Sequence, residues 1–277
     1  MKVLIIGGGG REHALAWKIS QSPTVKKIYV APGNGGTDLD KNIENIDITD
    51  IQDLINFAIK QKINLTVVGP EAPLAVGIVD AFRKNNLAIF GPTKAAAQLE
   101  SSKEFSKSFM ARHNIPTAKF ATFEDTNSAH DYLQNNPAPI VIKADGLASG
   151  KGVVVAMTNK EAHEAVDSML SEKIYGSAGK KIIIEEFLEG EEASFIVICD
   201  GSTILPLDSS QDHKRLLNND AGPNTGGMGA YSPAPLVTDE VNKKIMDQVI
   251  IPTIEGMKKE GIEFSGFLYA GIIVDLN

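Results

Sequence analysis

The sequence is poor in cysteine and in long apolar runs, and each shortage excludes a class of protein. Cys199 is the only cysteine among the 277 residues, so no disulfide within the chain and no cysteine-based zinc site can form. The longest apolar-rich run, residues 267–274, is 8 residues long, whereas a membrane-spanning helix needs about 20. The apolar stretch before Gly7 is too short for the core of a signal peptide. We therefore expect a cytoplasmic protein that has no membrane partner.

Positive charge is also scarce. The chain has 27 Lys and Arg against 35 Asp and Glu, which gives a net charge of −8, and no segment is dense in basic residues. Nucleic acids and anionic membranes bind basic surfaces, so we expect neither as a partner. The apolar fraction of 43% and the charged fraction of 22% are ordinary for globular proteins and exclude disorder. A chain of this length predicts two domains.

In the first hundred residues, short apolar runs alternate with stretches of helical spacing. The apolar runs are residues 3–6, 28–31, 65–68 and 88–90, and the helical stretches are residues 13–19, 51–59, 74–82 and 95–99. Strands that alternate with helices predict a parallel sheet, whose strand-to-helix turns share one edge where ligands bind. We therefore predict an α/β fold with an N-terminal Rossmann-like substrate domain over residues 1–102.

The pattern changes in the second part, which we predict to be an α+β domain with mostly antiparallel strands over residues 103–277. Its predicted strands are residues 140–143, 153–157, 182–186, 195–199, 203–207 and 267–274, and its predicted helices are residues 103–113, 161–170 and 240–259. The Asp200-Gly201 pair favours a hairpin. Cys199 lies in an apolar run, which favours a small core residue. A lid subdomain is expected at about residues 117–190.

The glycines of residues 7–10 follow a strand and precede a helix, an arrangement that points backbone N–H groups at an anion. The dinucleotide fingerprint G-x-G-x-x-G fails, because Glu12 and His13 stand where its last glycine is needed. The second strand also ends without an acid to bind a ribose hydroxyl. The turn therefore suits a mononucleotide or a sugar phosphate better than NAD, and a merely tight turn is the alternative.

Residues 140–153 contain the most specific local pattern. They differ from a P-loop because Gly146 and Gly150 are separated by three residues and because Gly152 follows Lys151. What remains is a strand with Lys143, a glycine-rich loop with Lys151 and a returning strand. Such a loop could close over phosphates and balance their charge with two ammonium groups. A flexible exposed hairpin is the alternative.

The segment 182–193 combines an apolar strand with five carboxylates and allows two interpretations. It could run into an acidic, solvated turn, which we accept for Glu189 and Glu191. Alternatively, an exposed strand edge could bind an adenine ring and a following acid could bind the ribose. Two further segments, residues 210–215 and 222–233, are polar and glycine-rich, as functional loops often are. The scattered histidines argue against a histidine metal site.

Five short motifs occur in unbroken order along the chain. They are Gly8-Gly9-Gly10-Arg11-Glu12-His13-Ala14, Ala31-Pro32-Gly33-Asn34, Val68-Gly69-Pro70-Glu71-Ala72-Pro73-Leu74, Gln211-Asp212-His213-Lys214-Arg215 and Gly222-Pro223-Asn224-Thr225-Gly226-Gly227-Met228-Gly229-Ala230-Tyr231. Together with the glycine loop of residues 145–152 and the strand that ends in Glu185-Glu186-Phe187-Leu188, they resemble the ATP-grasp superfamily. Within it, the whole chain is similar to the glycinamide ribonucleotide synthetase family.

This resemblance implies a reaction of de novo purine synthesis, in which ATP, glycine and 5-phospho-β-D-ribosylamine give glycinamide ribonucleotide, ADP and phosphate. The glycine carboxylate would accept the γ-phosphoryl group, and the ribosylamine nitrogen would attack the resulting glycyl phosphate. The partners implied are ATP, glycine and phosphoribosylamine. The cofactor implied is Mg²⁺ or Mn²⁺ bound with ATP.

The resemblance also implies roles for individual residues. ATP would be bound by Lys103 and Lys143, by the lid residues Gly146, Ser149, Gly150, Lys151 and Gly152, by the backbone of Glu185, Glu186, Phe187 and Leu188 around the adenine, and by Glu192 at the ribose. The catalytic residues would be Lys214 and Asn224, which would face the phosphates and the reacting carboxylate. Phosphoribosylamine would be bound by Gly9, Asn34, Glu71, Asp212, Gly226, Gly227, Met228 and Gly229.

The chain departs from the family pattern at its end. The family's Glu-Phe-Asn-x-Arg-x-Gly-Asp-Pro-Glu segment, which supplies the metal-binding Glu and Asn and a substrate-binding Arg, would follow Asn277. We therefore assign no metal ligand and expect a C-terminally truncated chain whose active site is incomplete. Two alternatives stay open, namely an ATP-grasp ligase for another acid and amine, and a non-catalytic nucleotide-binding fragment.

Overall fold

The computed structural model describes residues 1–146, 152–171, 180–218 and 221–275, without the side chains of residues 223 and 224. The predicted lid residues Ser149, Gly150 and Lys151 therefore lie outside the described residues. The chain divides into two compact units, one formed by Met1–Ala97 with Phe264–Phe267 and the other by Gln98–Glu263 with Leu268–Asn277. No helix in the described ranges has the length and apolar character needed to cross a membrane.

The first unit is built from five strands and five helices. The strands are β1 (Lys2–Gly7), β2 (Lys27–Pro32), β3 (Ile43–Asn45), β4 (Leu65–Val68) and β5 (Ile89–Phe90). The helices are α1 (Gly10–Ser20), α2 (Gly35–Asp38), α3 (Ile51–Gln61), α4 (Glu71–Ala75) and α5 (Ile78–Lys84).

The predicted parallel sheet is confirmed, with the strand order β3-β2-β1-β4-β5. Alternate residues of β1 point to opposite faces, and both faces are covered: Leu4 and Ile6 pack in one apolar cluster with α3 and α5, and Val3 and Ile5 pack in another with α1. Gly7 pairs with Pro32 of β2. The turns that follow β1, β2 and β4 therefore lie together at the carboxyl edge of the sheet.

Three details of the first unit differ from the sequence-based expectation. The predicted helix over residues 74–82 is two helices, α4 and α5, because Gly77 between them has the left-handed φ of 92° that breaks a helix. The predicted helix over residues 95–99 is wrong, since the next helix begins only at Gln98 and belongs to the second unit. The short strand β3 was not predicted at all.

The described part of the second unit contains six α-helices and most of the strands. The helices are α6 (Gln98–Ser101), α7 (Lys103–Arg112), α8 (Thr126–Asn135), α9 (Asn159–Val166), α10 (Asp239–Ile245) and α11 (Ile251–Lys259). Single π-helical turns extend α9 over Asp167–Ser171 and join α10 to α11 over Met246–Ile250. The strands are β6 (Phe120–Phe123), β7 (Ile140–Ala144), β8 (Val153–Ala156), β9 (Ile182–Glu186), β10 (Glu191–Asp200), β11 (Ile204–Pro206), β12 (Gln211–Asp212), β13 (Arg215–Leu217), β14 (Ala221–Asn224), β15 (Ala230–Tyr231) and β16 (Ser265–Val274). The first three residues of β16, 265–267, belong to the first unit.

The largest sheet of the second unit has the order β6-β9-β7-β8 and antiparallel pairing throughout, as predicted. Lys143 on β7 lies opposite Val153 on β8, which confirms the strands on both sides of the glycine loop. The β10–β11 hairpin is also confirmed, with Gly201 in its turn at a φ of 100°. Cys199 is buried, as expected of a core residue.

The alternative of an exposed strand edge is wrong for residues 182–185 of β9. These residues pair with β6 on one side and with β7 on the other. The N–H of Glu186 donates to the carbonyl oxygen of Lys119 at 3.0 Å. The sequence did not reveal this because β6, the strand that covers that edge, was not predicted.

Candidate functional site

The turn cluster, as we name the turns after β1, β2 and β4, is organised around the buried carboxylate of Glu12. Glu12 lies in the first turn of α1 and is only 2% exposed. One of its oxygens accepts a hydrogen bond from the N–H of Gly9 at 2.7 Å, and the other accepts one from Nε of Arg11 at 2.7 Å. The carboxylate thus occupies the N-terminus of α1, where backbone N–H groups favour negative charge.

This carboxylate explains the glycine at position 7. Gly7 has a φ of 126°, and a Cβ there would lie 2.5 Å from Cγ of Glu12. A Cβ on Gly69, which follows β4, would likewise collide with the Glu12 carboxylate. Gly7 and Gly69 therefore make room for the buried side chain of Glu12, a role that the motif pattern did not reveal.

Asn34 joins the turn after β2 to the turn after β1. Its side-chain oxygen accepts the N–H groups of Gly36 and Thr37 at 2.7 and 3.0 Å and so caps α2. Its side-chain nitrogen donates to the carbonyl oxygens of Gly8 and Gly9 at 3.1 and 3.3 Å. The amide that we predicted as a ligand contact thus holds the two turns together in this structure.

Glu71, at the start of α4, forms an ion pair with Arg11, whose Nη1 lies 3.0 Å from the Glu71 carboxylate. Burial alone would raise the pKa of Glu71, but the hydrogen bond and charge of Arg11 outweigh it, and the pKa lies below its ordinary value of 4.5. Arg11 therefore links Glu12 and Glu71, two acids on different turns.

In the second unit, the lysine cluster consists of Lys103, Lys107, Lys143, Asp145 and Glu185. Three elements bring it together, because Lys103 and Lys107 lie one turn apart on α7, Lys143 lies on β7, and Glu185 lies on the neighbouring strand β9. The structure thus brings together the two predicted phosphate-binding lysines and Glu185, and it adds Lys107, which was not predicted.

Glu185 is the centre of this cluster, and its side chain is only 5% exposed. One oxygen, Oε2, lies 2.9 Å from Nζ of Lys143 and 3.1 Å from Nζ of Lys107. The other oxygen, Oε1, is buried and has no hydrogen-bond partner among the described residues. Such a buried acceptor is costly unless something donates to it.

Lys103 is attached to the start of the glycine loop, since its Nζ donates to the carbonyl oxygen of Gly146 at 2.8 Å. Asp145 accepts the N–H of Glu104 at 3.2 Å, so the same stretch also caps α7. Burial lowers the pKa of Lys103, nearby Lys143 lowers it further, and Asp145 acts in the opposite direction. Gly152, the last lid residue, follows the undescribed part of the loop and precedes β8.

Of the four residues predicted around the adenine, only Phe187 and Leu188 lie beyond the paired part of β9. Leu188 is 39% exposed. The side chain of Glu186 accepts the N–H of Lys119 at 2.8 Å. Glu185 is paired within the sheet and the N–H of Glu186 is bonded to Lys119, and the adenine contacts of this stretch stay a prediction.

A second charged group in the same unit is formed by Lys214, Glu192 and Asp212. Nζ of Lys214 lies 2.8 Å from the Glu192 carboxylate and 3.6 Å from that of Asp212. Burial would lower the pKa of Lys214, but the hydrogen bond and charge of Glu192 outweigh it and raise the pKa. Lys214 is thus a cation over a wide pH range, so it can bind anions and cannot serve as a base near neutral pH.

The loop between β14 and β15 folds back on the residues around Lys214. The N–H of Thr225 donates to the carbonyl oxygen of Lys214 at 2.6 Å, and the N–H of Met228 donates to that of His213 at 2.7 Å. The N–H of His213 donates in turn to the carbonyl oxygen of Gly229 at 2.9 Å. The predicted residues Gly226, Gly227, Met228 and Gly229 are thereby held beside Lys214 in the fold, and of Asn224 the backbone alone is described, paired with Arg215.

Within the described ranges, no group of three or more His, Cys, Asp or Glu side chains could hold a metal ion. Both carboxylates of the lysine cluster are engaged by ammonium groups or by the N-terminus of α7. These residues therefore do not form a divalent-metal site by themselves.

Comparison of the sequence with known protein families identifies the family of this chain. Residues 1–100 match the family described as "Phosphoribosylglycinamide synthetase, N domain", and residues 101–277 match "Phosphoribosylglycinamide synthetase, ATP-grasp (A) domain". The chain belongs to the phosphoribosylglycinamide synthetase family. The ATP-grasp domain of this family contains both the lysine cluster and the group around Lys214.

Individual family members support this membership. The chain is 62% identical to a phosphoribosylamine–glycine ligase of Ralstonia nicotianae over 275 residues, which are 99% of this chain and 65% of the relative. A ligase of Neisseria meningitidis has the same identity and coverage. The crystal structure of phosphoribosylamine–glycine ligase from Thermotoga maritima superposes with a TM-score of 0.83 at 33% identity and covers all of this chain and 66% of the other. The chain thus spans about 65% of the length of these relatives.

Four residues of the two clusters had no assigned role in the sequence-based prediction, namely Arg11, Glu12, Lys107 and Asp145. Glu12 stands in a motif that was recognised, and its acidic position at the start of a helix after a strand was a usable signal for a capping role. Lys107 offered no such signal, because a lysine four residues after another on a helix is ordinarily solvated.

Proposed function

We propose that this chain provides the nucleotide-binding and substrate-binding part of an enzyme that ligates glycine to 5-phospho-β-D-ribosylamine with ATP, giving glycinamide ribonucleotide, ADP and phosphate. The observation that carries the proposal is the unbroken match to relatives named phosphoribosylamine–glycine ligase over 99% of the chain at 62% identity. The lysine cluster supports it, because it is a partly buried group with more positive than negative charges.

Lys103 and Lys143 would bind the phosphates of ATP. Both ammonium groups now contact protein oxygens, Gly146 O and Glu185 Oε2 respectively, so they are already held in place before a phosphate arrives. Preorganised cations of this kind stabilise charge that develops on a transferred phosphoryl group. The glycine carboxylate would attack the γ-phosphorus, the bond to the β–γ bridging oxygen would break and ADP would leave, and the amine would then displace phosphate from the glycyl phosphate. The stretch Glu185-Glu186-Phe187-Leu188 would contact the adenine through its backbone.

Glu192 would bind the ribose of ATP, and Lys214 with Asn224 would face the phosphates and the reacting carboxylate. Because Lys214 and Glu192 are paired at 2.8 Å, ligand binding would exchange this ion pair for two new contacts, one from Lys214 to an anion and one from Glu192 to hydroxyl groups. Asp212 and the loop that contains Gly226 and Gly229 would contribute contacts to phosphoribosylamine.

In the first unit, Gly9, Asn34 and Glu71 would contact phosphoribosylamine. The turn cluster brings backbone N–H groups of Gly9 and its neighbours to the carboxyl edge of a parallel sheet, the usual place for a phosphate in such folds. Glu12 already accepts the N–H of Gly9. We therefore propose that the side chains of Asn34 and Glu71 supply polar contacts, while Glu12 has a structural role.

Family members of this kind use ATP together with Mg²⁺ or Mn²⁺, which would balance charge on the β- and γ-phosphates. None of the residues named above is assigned to that ion, and the roles proposed for them are those of lysines, acids at the ribose and substrate, and backbone groups. We propose a cytoplasmic setting, with ATP, glycine and phosphoribosylamine as partners and no nucleic acid or membrane.

The test is release of ADP from MgATP by this chain, with and without glycine and freshly generated phosphoribosylamine. Release that requires both substrates would support the proposed reaction. ATP binding without any release would favour a nucleotide-binding role without turnover for this chain. Release driven by another acid or amine would favour a different ligase.

A further inference from the structure

Lys107 is the one ammonium group of the lysine cluster to which the proposed reaction gives no task. Its side chain is 9% exposed, and its Nζ lies 2.7 Å from Oγ1 of Thr117, 3.3 Å from the carbonyl oxygen of Ala118 and 3.1 Å from Oε2 of Glu185. An ammonium group has three N–H donors. All three are therefore used within the protein, and none remains for a ligand.

The contact with Glu185 is the one that bears on the phosphate-binding lysines. Oε2 of Glu185 is shared between Lys107 and Lys143, at 3.1 and 2.9 Å. Without Lys107, Glu185 and Lys143 would form a neutral pair, and Lys143 would offer little net charge to an anion. With Lys107, the cluster has three lysines and two carboxylates, Glu185 and Asp145, so its own side chains sum to one positive charge, while Glu100 and Glu186 act on the same lysines from outside the cluster.

We propose that Lys107 is a positioning residue of the ATP site that acts through Glu185. It neutralises Glu185 from the buried side, so that Glu185 orients Lys143 without cancelling its attraction for phosphate. A buried carboxylate between two ammonium groups can hold one of them in a fixed rotamer while the net charge of the three groups stays positive. Charge interactions between groups in contact are strong where water is scarce. This inference rests on the proposed function, since it assigns Lys107 to the ATP phosphates.

Binding of inorganic tripolyphosphate, ATP and adenosine to the 277-residue chain by calorimetry tests the inference. Lys107→Met should weaken tripolyphosphate and ATP about tenfold or more, which is about 1.4 kcal/mol, and should leave adenosine within about twofold. Lys107→Arg, which keeps the charge, should stay within about threefold of the unsubstituted chain for all three ligands. A merely structural role would weaken adenosine as much as tripolyphosphate, or would make Arg as harmful as Met, and either result would overturn the inference.

Removing Lys107 alone leaves a buried carboxylate short of a partner, which can prevent folding. Lys107→Gln is therefore the second variant, because its side-chain amide can still donate to Glu185 while the positive charge is removed. It should also weaken tripolyphosphate about tenfold and leave adenosine within about twofold, and tripolyphosphate binding within about threefold of the unsubstituted chain would overturn the inference even if Lys107→Met does not fold. Failure of the unsubstituted chain to bind ATP would contradict the proposed function itself, whereas normal binding by Lys107→Met would contradict this inference alone.

Discussion

The turn cluster of the first unit and the lysine cluster of the second unit both centre on a buried glutamate, and they treat it differently. Glu12 is satisfied at both oxygens, by the N–H of Gly9 and by Arg11. Glu185 has one oxygen shared by two lysines and another with no partner among the described residues. Glu12 therefore stabilises the turns around it, whereas Glu185 leaves one carboxylate oxygen without a donor and lies beside lysines that could bind an anion.

This difference separates what each region contributes. In the turn cluster, side chains predicted as ligand contacts, such as Asn34, are bonded to neighbouring turns and shape the backbone. In the lysine cluster, the ammonium groups outnumber the carboxylates, and burial lowers the pKa of Lys103 and of Lys107. Buried like charges are unfavourable in the absence of an anion, so a phosphate ligand would relieve them.

The largest effect is expected from Lys214→Ala, which removes the proposed cation at the reacting carboxylate. Turnover, measured as ADP release in the presence of both substrates, should fall about 100-fold or more. Stability should change by less than about 1 kcal/mol, because Lys214 and Glu192 form a partly exposed pair. Lys244→Ala is the matched control, since it breaks a similar pair with Glu240 at 2.9 Å. Equal turnover in the two variants would remove Lys214 from the reaction.

The next largest effect tests the lysine cluster directly. Lys143→Met should weaken ATP binding about 10- to 100-fold, because a charge-assisted contact is worth about 1.5–3 kcal/mol. Adenosine binding should be unaffected. The control is Lys160→Met in the same unit, where the lysine is 84% exposed and lies 3.7 Å from Glu164. An unchanged ATP affinity in Lys143→Met would show that the lysine cluster does not bind the phosphates of ATP.

A stability measurement tests whether Glu12 stabilises the turn cluster. Glu12→Ala should lower the free energy of unfolding of the first unit by about 2–3 kcal/mol, because it leaves the N–H of Gly9 without its acceptor. Trp17, the only tryptophan, lies on α1 in this unit, so its fluorescence during denaturation reports the change. Glu44→Ala, which breaks the exposed Lys27–Glu44 pair, is the control and should cost less than about 1 kcal/mol. A loss no larger than the control's would mean that Glu12 is not structural.

The smallest effect concerns Glu71 and pH. Its pKa in the folded chain lies below the ordinary value of 4.5. The ionised carboxylate therefore adds stability above pH 4.5, and this stability is lost as the pH falls through the lowered value. Relative to Glu71→Gln, the unsubstituted chain should be more stable by at most about 1 kcal/mol at pH 6, because the pair is half exposed. The difference should shrink as the pH falls below 4.5, and a difference that stays constant down to the acid-unfolding region would argue against the Arg11 ion pair as its cause.

Much of the fold could be predicted from the sequence because the strands of the first unit are continuous apolar runs. Residues 3–6 and 28–31 read as strands without any knowledge of their partners. Strand β3, with one buried residue in three, and strand β6 carry too little apolar signal of their own and are defined by their neighbours. Helix α8 escaped prediction for the same reason, since only Ala129 and Leu133 of its residues are buried.

The candidate site was predictable only where a local motif carries it. Lys143 and the glycine loop are adjacent in sequence, and Glu185 ends a recognisable strand. The pairing of Glu185 with Lys107 joins residues 78 positions apart on a strand and a helix, and nothing in either segment indicates it. Buried ion pairs between distant elements follow from tertiary packing. The sequence therefore indicated Lys103 and Lys143 as phosphate-binding residues but did not indicate Lys107, which contacts Glu185 behind them.

The most direct test of the contrast between the two clusters is competition between ATP and inorganic tripolyphosphate for this chain. Tripolyphosphate should displace ATP with a stoichiometry of one, and the double variant Lys103→Met with Lys143→Met should abolish that competition while adenosine still binds. If tripolyphosphate displaces ATP equally well from the double variant, the lysine cluster is not the phosphate site and the contrast drawn here between the two buried glutamates is wrong.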